Sequence, residues 1–205
     1  MPRLHDRRQR HDAYYRRAKH ERYAARSVYK LQEIDERFRL LRPGARVLDL
    51  GCRPGSWLQY ASERVGAQGC VVGIDRTPLE LALPGNARAL VGDVLTVTPE
   101  VLTAALPDGA ARCFDVVLSD MAPDTSGVAF TDQVRSVELV ERAIELCELV
   151  GCPGGAFVAK IFMGEGFQEV VQRLKQRFEG AKTVRPEATR KSSTELYLVG
   201  PSRRV

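Results

Sequence analysis

The hydrophobic positions along the chain follow two different spacings. Residues 26–41 (RSVYKLQEIDERFRLL) carry an apolar side chain at every third or fourth position, namely Val28, Leu31, Ile34, Phe38 and Leu41. Because an α-helix completes a turn in about 3.6 residues, this spacing predicts a helix. The following Pro43 and Gly44 predict its end. Helical spacing returns in three later segments, residues 56–65, 132–150 and 166–178.

Short apolar runs of strand length alternate with these helices. They are residues 45–50, 70–75, 88–93, 114–120, 154–162 and 194–200. Continuous apolar runs between helices are typical of parallel strands that are buried on both faces. Residues 181–186 and 194–200 follow each other without a helix, which predicts a final antiparallel hairpin. The pattern therefore predicts an α/β fold with a mostly parallel, seven-stranded sheet, helices on both faces and a C-terminal antiparallel hairpin.

The composition agrees with one globular α/β domain. The chain has 205 residues, of which 44% are hydrophobic and 28% charged, and both values are ordinary for such a domain. No segment approaches the roughly 18 consecutive apolar residues of a membrane helix. The N-terminal sequence MPRLHDRRQRHD lacks the apolar segment of a secretory signal. We therefore expect a cytoplasmic protein, and nothing in the sequence demands more than a monomer.

The cysteines do not form a recognisable framework. Their number is odd and no Cys-x-x-Cys pair occurs, so we expect reduced thiols instead of disulfides or a zinc site. The five residues are Cys52, Cys70, Cys113, Cys147 and Cys152.

Positive charge is concentrated at the N-terminal end. Residues 1–30 hold ten Lys or Arg against three acidic residues, whereas the other 175 residues hold 21 basic and 23 acidic ones. All three histidines (His5, His11 and His20) lie in the same segment. The body of the protein therefore lacks the histidine of a hydrolase triad or of a His-ligated metal site.

Charged side chains end or interrupt the predicted strands. Four strands finish at or beside an acid, and the fifth apolar run contains a lysine near its end; these residues are Asp49, Asp75, Asp93, Asp120 and Lys160. Any one strand-end acid could simply cap the next helix. A charge within an apolar strand is costly unless it is used. Since parallel sheets bind ligands at the carboxyl ends of their strands, the set favours a site there.

The turn after the first strand indicates a nucleoside cofactor. In DLGCRPGSW (49–57), Gly51 and Gly55 permit a sharp turn and a close backbone approach to a ligand before a helix begins. The spacing differs from G-x-G-x-x-G, and Pro54 lacks the N–H that a pyrophosphate would use. Asp75 closes the second strand, where a carboxylate binds ribose hydroxyls. S-adenosylmethionine, which has no diphosphate, fits this pattern. A lone tryptophan early in a helix, such as Trp57, more often packs in the core than contacts a ligand.

Four separated motifs carry a family resemblance. They are DLGCRPGSW (49–57), VLSDMAPDTSG (117–127), GGAFVAKIFMGEGF (154–167) and STELYLVG (193–200). Together with ARSVYKLQEID (25–35), they resemble the FtsJ-type RNA 2′-O-ribose methyltransferases, and especially the bacterial enzymes that methylate a uridine ribose of large-subunit ribosomal RNA. The resemblance implies a Rossmann-like class I methyltransferase fold, S-adenosylmethionine as cofactor and ribosomal RNA, within the large subunit, as partner.

The resemblance also assigns roles to individual residues. The catalytic tetrad falls on Lys30, Asp120, Lys160 and Glu195, and no metal ion takes part. The cofactor residues fall on Gly55, Trp57, Asp75, Asp93 and again Asp120. The cofactor loop departs from the family where Cys52 and Arg53 replace small residues and Ser56 replaces a frequent glycine.

The chemistry explains these residue types. A ribose 2′-hydroxyl must lose a proton as it attacks the methyl group. A lysine accepts a proton only when it is neutral, although the pKa of a free lysine is about 10.4. Burial and a second ammonium favour the neutral form, whereas carboxylates oppose it. In the family's arrangement Lys160 is the base, Lys30 supplies the second ammonium, and Asp120 and Glu195 orient the lysines. Taken singly, Lys30 and Glu195 would read as solvated surface charges.

The basic N-terminal segment is interpreted as an RNA-binding arm. Residues 7–26 combine seven Arg and one Lys with Tyr14, Tyr15 and Tyr23, and these side chains suit phosphates and unpaired bases. A charged run in isolation would more often be a solvated helix or tail. We expect residues 1–24 to form the arm and residues 25–205 the methyltransferase domain. The arm's surface would extend to Lys182, Arg185, Arg190 and Lys191.

Three alternatives remain beside the ribosomal RNA enzyme. A transfer RNA ribose methyltransferase would carry the same tetrad. A non-catalytic RNA-binding ribosome assembly factor is opposed by the intact tetrad. A nicotinamide dehydrogenase is opposed by the glycine spacing and by Pro54.

Overall fold

A seven-stranded sheet forms the centre of the computed structural model, which describes residues 13–107, 113–124 and 127–204. The helices are α1 (Ala13–His20), α2 (Val28–Phe38), α3 (Ser56–Val65), α4 (Pro99–Ala104), α5 (Ala129–Val150) and α6 (Phe167–Arg177). The strands are β1 (Arg46–Leu50), β2 (Cys70–Asp75), β3 (Ala87–Val91), β4 (Phe114–Ser119), β5 (Gly151–Phe162), β6 (Phe178–Glu179), β7 (Lys182–Val184), β8 (Glu195–Gly200) and β9 (Ser202–Arg203).

The strand order places a switch point at the centre of the sheet. The order is β3-β2-β1-β4-β5-β8-β7, and β1 to β5 pair in parallel whereas β8 runs antiparallel to both β5 and β7. The mostly parallel sheet with an antiparallel C-terminal hairpin is therefore confirmed. Because the chain leaves β1 in one direction and later returns to β4 on its other side, a crevice forms between the carboxyl ends of β1 and β4.

Two apolar layers cover the sheet, as the continuous apolar strands predicted. Helices α2 and α3 cover one face, where Leu31, Ile34 and Leu58 are fully buried. Helices α4, α5 and α6 cover the other face, where Leu102, Ile144 and Val170 are fully buried. Successive strand residues alternate between the two layers because side chains of a strand point to opposite faces.

The described part of the predicted arm, residues 13–24, is folded against the domain. In α1, Ala18 is buried, and the Tyr14 ring lies 5.5 Å from the Tyr29 ring of α2. The Tyr23 hydroxyl donates to Glu63 Oε2 over 2.6 Å. The hydrophobic pattern did not reveal α1 because its docking surface is small and lies among arginines. Residues 1–12 of the predicted arm lie outside the described part of the chain.

The prediction that all five cysteines are reduced is wrong for two of them. Cys113 and Cys152 are joined by a disulfide, with their Cα atoms 5.2 Å apart. The reason lies in strand register, since Phe114 of β4 pairs with Gly151 of β5 and brings their neighbours together although they are 39 residues apart in sequence. Cys52, Cys70 and Cys147 are buried free thiols.

Within the described residues, no helix is both long enough and apolar enough to cross a membrane.

Candidate active site

Four residues of the predicted tetrad meet beyond the ends of β4, β5 and β8. Lys160 Nζ lies 3.2 Å from Asp120 Oδ1 and donates to the Asp120 carbonyl oxygen over 2.6 Å. Lys30 Nζ lies 2.5 Å from Glu195 Oε1. All four side chains are only 10–18% exposed. The site therefore consists of two lysine–carboxylate pairs in a recess.

Strand register explains how residues so distant in sequence come together. On β5 and β8, Lys160 pairs with Tyr197, and Phe162 pairs with Glu195. Asp120 follows the last residue of β4, which pairs in parallel with β5. Lys30 lies in the first turn of α2, the helix that covers this face of the sheet.

Tyr197 links the two pairs and was not identified from the sequence. Its hydroxyl donates to Asp120 Oδ1 over 2.7 Å, and Lys30 Nζ lies 5.8 Å from its ring centroid. Burial, followed by the charges of Asp120 and Glu195, raises the pKa of this phenol well above its ordinary value. The hydroxyl therefore stays protonated and acts as a donor. The sequence does contain a signal for Tyr197. It is two residues from Glu195 on the same predicted strand, and such residues point to the same face of a sheet.

The glycine turn after β1 is shaped by its neighbours. Gly51 has φ +71°, and a Cβ there would lie 2.4 Å from Met121 Cγ; Gly55 has φ +108°, and a Cβ there would lie 2.3 Å from Leu81 Cδ2. No L side chain fits either position without displacement. The turn is tied to β2, because the Arg53 N–H donates to Asp75 Oδ2 over 3.1 Å. At the departure from the family pattern, the half-exposed Arg53 side chain lies 3.9 Å from Glu80 Oε1, and Arg53 also lines the cavity beside this turn.

A cavity of about 560 Å³ opens beside this turn. Three of the predicted cofactor residues line it, Asp75, Asp93 and Asp120, together with Gly51 and an apolar wall of Val94, Leu95, Met121 and Leu139. The carboxylate of Asp75 is held by main-chain N–H groups of Arg53 and Thr77, and that of Asp93 accepts the N–H of Leu95. The acids thus have fixed orientations toward the cavity.

Gly55 and Trp57 do not line this cavity. Trp57 is 2% exposed, its indole N–H donates to the Ser27 carbonyl over 2.9 Å, and its ring lies 5.8 Å from that of Tyr197. Its side chain is therefore a core residue that supports α2 and the tetrad. Gly55 acts through the shape of the turn that it permits.

Asp49 is a buried carboxyl beneath the same turn. It is fully buried, and neither carboxyl oxygen has a hydrogen-bond partner within the described part of the chain. Burial raises its pKa well above the ordinary value of 3.8, and the charges of Asp120 and Asp75 add to this shift. Because the charges of Asp75 and Asp120 help to keep the proton on Asp49, a cation bound beside these two cavity acids would oppose that shift. The ammonium and sulfonium groups of S-adenosylmethionine fit this donor set, and the apolar wall fits its adenine.

We predict that Asp49→Asn stabilises the cofactor-free protein at pH 8. A carboxyl with a raised pKa keeps a proton that the unfolded chain releases, so stability falls as the pH rises above the unfolded value. The substitution removes this decline and raises the melting temperature by about 2–4 °C for each kcal/mol relieved.

Melting curves of the cofactor-free variant from pH 5 to pH 8 measure the effect. The exposed Glu169→Gln in α6 is the control and should leave the pH dependence as in the wild type. An Asp49→Asn protein that loses stability with rising pH as steeply as the wild type would contradict the assignment.

The family model for FtsJ-like methyltransferases matches residues 23–203. The chain belongs to this family. A ribosomal RNA large subunit methyltransferase E of Sorangium cellulosum is 49% identical over 194 residues, which cover 95% of this chain and 89% of that protein. The protein of the same name from Syntrophobacter fumaroxidans is 48% identical over 189 residues, covering 92% and 94% of the two chains.

A solved structure of the same kind has a similar fold. A crystal structure of a ribosomal RNA methyltransferase from Plasmodium falciparum superposes with a TM-score of 0.76 and 28% identity, covering 88% of this chain and 98% of that one. For this FtsJ-like methyltransferase, the described residues contain no group of three His, Cys, Asp or Glu side chains arranged to hold a metal ion.

In this FtsJ-like methyltransferase, the loop between β7 and β8 is held against α2 by hydrogen bonds. The loop carries the basic residues Arg185, Arg190 and Lys191. Glu33 in α2 accepts the N–H groups of Glu187 and Ala188, over 2.6 and 2.9 Å. Arg26 donates to the Ala188 carbonyl, and burial, followed by the charge of Arg190, lowers its pKa. The loop therefore brings Arg190 near Arg26, whose pKa also responds to the charge of Glu195 in the tetrad.

Not all of the predicted extension of the basic surface reaches the tetrad. Lys182 pairs with Val199, and Val199 lies at the opposite end of β8 from Glu195. Lys182 is therefore at the other end of the strands from the tetrad. Arg185 donates to the carbonyls of Arg190 and Ser193 and thereby shapes the loop. Lys191 is exposed there.

Proposed function

We propose that the protein transfers the methyl group of S-adenosylmethionine to the 2′-hydroxyl of a uridine ribose in large-subunit ribosomal RNA. The observation that carries the proposal is the pair of recessed lysine–carboxylate contacts, Lys160 with Asp120 and Lys30 with Glu195, at the margin of a cavity lined by acids. The names and high identity of the bacterial relatives support ribosomal RNA as the substrate. The proposed setting is the cytoplasm, where large subunits assemble.

In this proposal the 2′-hydroxyl transfers its proton to Lys160 Nζ. The nitrogen contacts the carbonyl oxygen and the carboxylate of Asp120, and in the neutral amine its lone pair accepts the hydroxyl proton. Lys30 adds positive charge nearby and is itself held by Glu195. Tyr197 fixes the Asp120 carboxylate. When bound, the cofactor supplies a methyl group activated by a sulfonium.

The cavity residues would hold the cofactor by charge and shape. Asp75, whose oxygens already accept main-chain N–H groups, would bind the ribose hydroxyls, and Asp93 would lie near the base. Asp120 lies between this cavity and Lys160, so it joins cofactor and base. Fixing the hydroxyl in line with the methyl contributes about 7–11 kcal/mol to lowering a barrier of this type.

Helix α1 supplies exposed groups for the RNA backbone. Tyr15, Arg16 and Lys19 are exposed, whereas Tyr14 and Tyr23 contact the domain. Arg17 is paired with Glu21 over 2.8 Å. Arg16 and Lys19 therefore are the residues of α1 that we assign to phosphate contacts, and Tyr15 is the tyrosine available to an unpaired base.

We predict that Arg16→Ala/Lys19→Ala weakens RNA binding without changing cofactor affinity. Each lost phosphate contact lowers the slope of log affinity against log salt by about 0.7–0.9. Titrations of ribosomal RNA fragments between low and moderate salt measure this slope, and calorimetry measures the cofactor affinity.

The double variant Lys175→Ala/Arg204→Ala is the charge-matched control, since both residues are exposed on α6 and beyond β9, away from α1. An equal loss of RNA affinity in both double variants would mean that general charge, and not α1, governs binding. Loss of cofactor affinity in the α1 variant would also reject the assignment.

Transfer of tritiated methyl groups tests the proposed substrate. Large subunits, free large-subunit ribosomal RNA and transfer RNA from cells lacking the protein are incubated with labelled cofactor. We expect label in ribosomal RNA and none in transfer RNA. Label in transfer RNA alone would indicate the tRNA enzyme, and tight RNA binding without transfer would indicate an assembly factor.

A further inference from the structure

The tetrad lies too deep for a nucleotide that remains stacked in a helix. The side chains of Lys160 and Asp120 are 10% and 18% exposed. A 2′-hydroxyl of duplex RNA lies in a shallow groove and does not project into a recess. The nucleotide must therefore leave its stack, and its neighbours lose a stacking partner. Another surface has to compensate for that loss.

An exposed apolar surface borders the same edge of the sheet. Four large apolar side chains are exposed there, two of them on the first turns of α5. We call this surface the apolar rim; it comprises Val128 (56% exposed), Phe130 (62%), Val134 (43%) and Met163 (52%). Large apolar groups gathered on a surface mark contact sites more often than isolated ones do.

The apolar rim is continuous with the margin of the tetrad. Met163 follows the last residue of β5, and its N–H donates to the carbonyl of Thr194, the neighbour of Glu195. The first turns of α5 meet the same loop, because the Gln133 side chain lies so close to Gly164 that a Cβ there would be 2.2 Å away. The Phe162 N–H donates to Ser136 Oγ over 3.0 Å.

We propose that the apolar rim stacks against an unpaired base adjacent to the methylated nucleotide, with Phe130 as the ring that contacts it. The inference rests on the proposed function and adds a base-contacting surface to it. Aromatic side chains stack on any base because every base has a flat π-face. Four side chains match the size of one or two bases, whereas a stable protein interface covers about 800 Å² on each partner. RNA is therefore favoured over a ribosomal protein as the occupant.

Kinetics of Phe130 variants test the proposal. Phe130→Ala should raise the KM for free ribosomal RNA about 10-fold, while Phe130→Tyr, which keeps the ring, stays close to wild type. Leu149→Ala is the matched control, because Leu149 is 58% exposed near the last turn of the same helix. Cofactor affinity and melting temperature should be unchanged in all three variants.

Two results would overturn the proposal. One is a KM of Phe130→Ala equal to that of Leu149→Ala. The other is an effect of Phe130→Ala on whole subunits with none on free RNA, which would assign the apolar rim to a ribosomal protein.

A binding measurement separates this inference from the proposed function. A uridine-rich oligoribonucleotide with one 2-aminopurine should lose fluorescence on binding to wild type and Phe130→Tyr, and keep it on binding to Phe130→Ala. This result does not depend on turnover, so it stands even if no methyl transfer is found. Equal quenching by wild type and Phe130→Ala would overturn the stacking role.

Discussion

Replacing Lys160 by methionine is expected to abolish methyl transfer while cofactor binding persists. Methionine preserves the unbranched stem of the lysine side chain but provides no atom that takes up a proton at neutral pH. Loss of a positioned base lowers a rate by about 10²–10⁴-fold. Labelled methyl transfer to ribosomal RNA measures the rate, and calorimetry with S-adenosylmethionine measures binding.

Lys160→Arg separates the loss of the proton acceptor from the loss of the positive charge. The guanidinium keeps a cation beside Asp120 but cannot lose its proton in a protein, so we expect it to preserve stability and still be inactive. Lys175→Met, an exposed position on α6, is the control and should remain active. Substantial transfer by Lys160→Arg would remove Lys160 from the role of base, and loss of cofactor binding in both Lys160 variants would mean that the substitutions disturb the cavity.

Breaking the Lys30–Glu195 pair is expected to cost both stability and activity. The two side chains are 11% and 12% exposed, and their charged atoms lie 2.5 Å apart. Removal of one partner from a buried pair costs about 3–5 kcal/mol, because the other charge is left without compensation. Glu195→Leu should therefore unfold at markedly lower denaturant concentration and lose methyl transfer.

The double variant Lys30→Met/Glu195→Leu separates the two effects. With both charges gone, most of the stability should return, since an apolar pair can replace a buried ion pair. Activity should not return if Lys30 and Glu195 serve the reaction. A double variant that is as unstable as Glu195→Leu would contradict the pairing, and a double variant that recovers both stability and activity would show that the pair is structural.

The fold was largely predictable because its strands are apolar throughout. Runs such as residues 70–75 and 114–120 are buried on both faces, so sequence pattern and structure coincide there. Helix α1 escaped prediction, since its contact with the domain depends on Ala18 and Tyr14 among many charges. The Cys113–Cys152 disulfide also escaped, because it depends on strand register that spacing in the sequence does not contain.

The tetrad was predictable in a different way. Lys160 stands out within an apolar strand, but Lys30 and Glu195 are ordinary charges until the motifs around them are compared with a family. The structure adds what motifs do not specify: which lysine contacts which carboxylate, and that Tyr197 joins the pairs. For Trp57, the resemblance and the structure differ. The resemblance assigned this residue to the cofactor, whereas the structure places its side chain in the core.

The product of the reaction tests the central claim most directly. Large-subunit RNA that has received labelled methyl groups is digested to nucleosides, and the labelled nucleoside is identified by chromatography and mass spectrometry. We expect label in 2′-O-methyluridine with the wild-type protein and none with Lys160→Met. Label on a base carbon or nitrogen, or a labelled ribose formed equally by Lys160→Met, would contradict it.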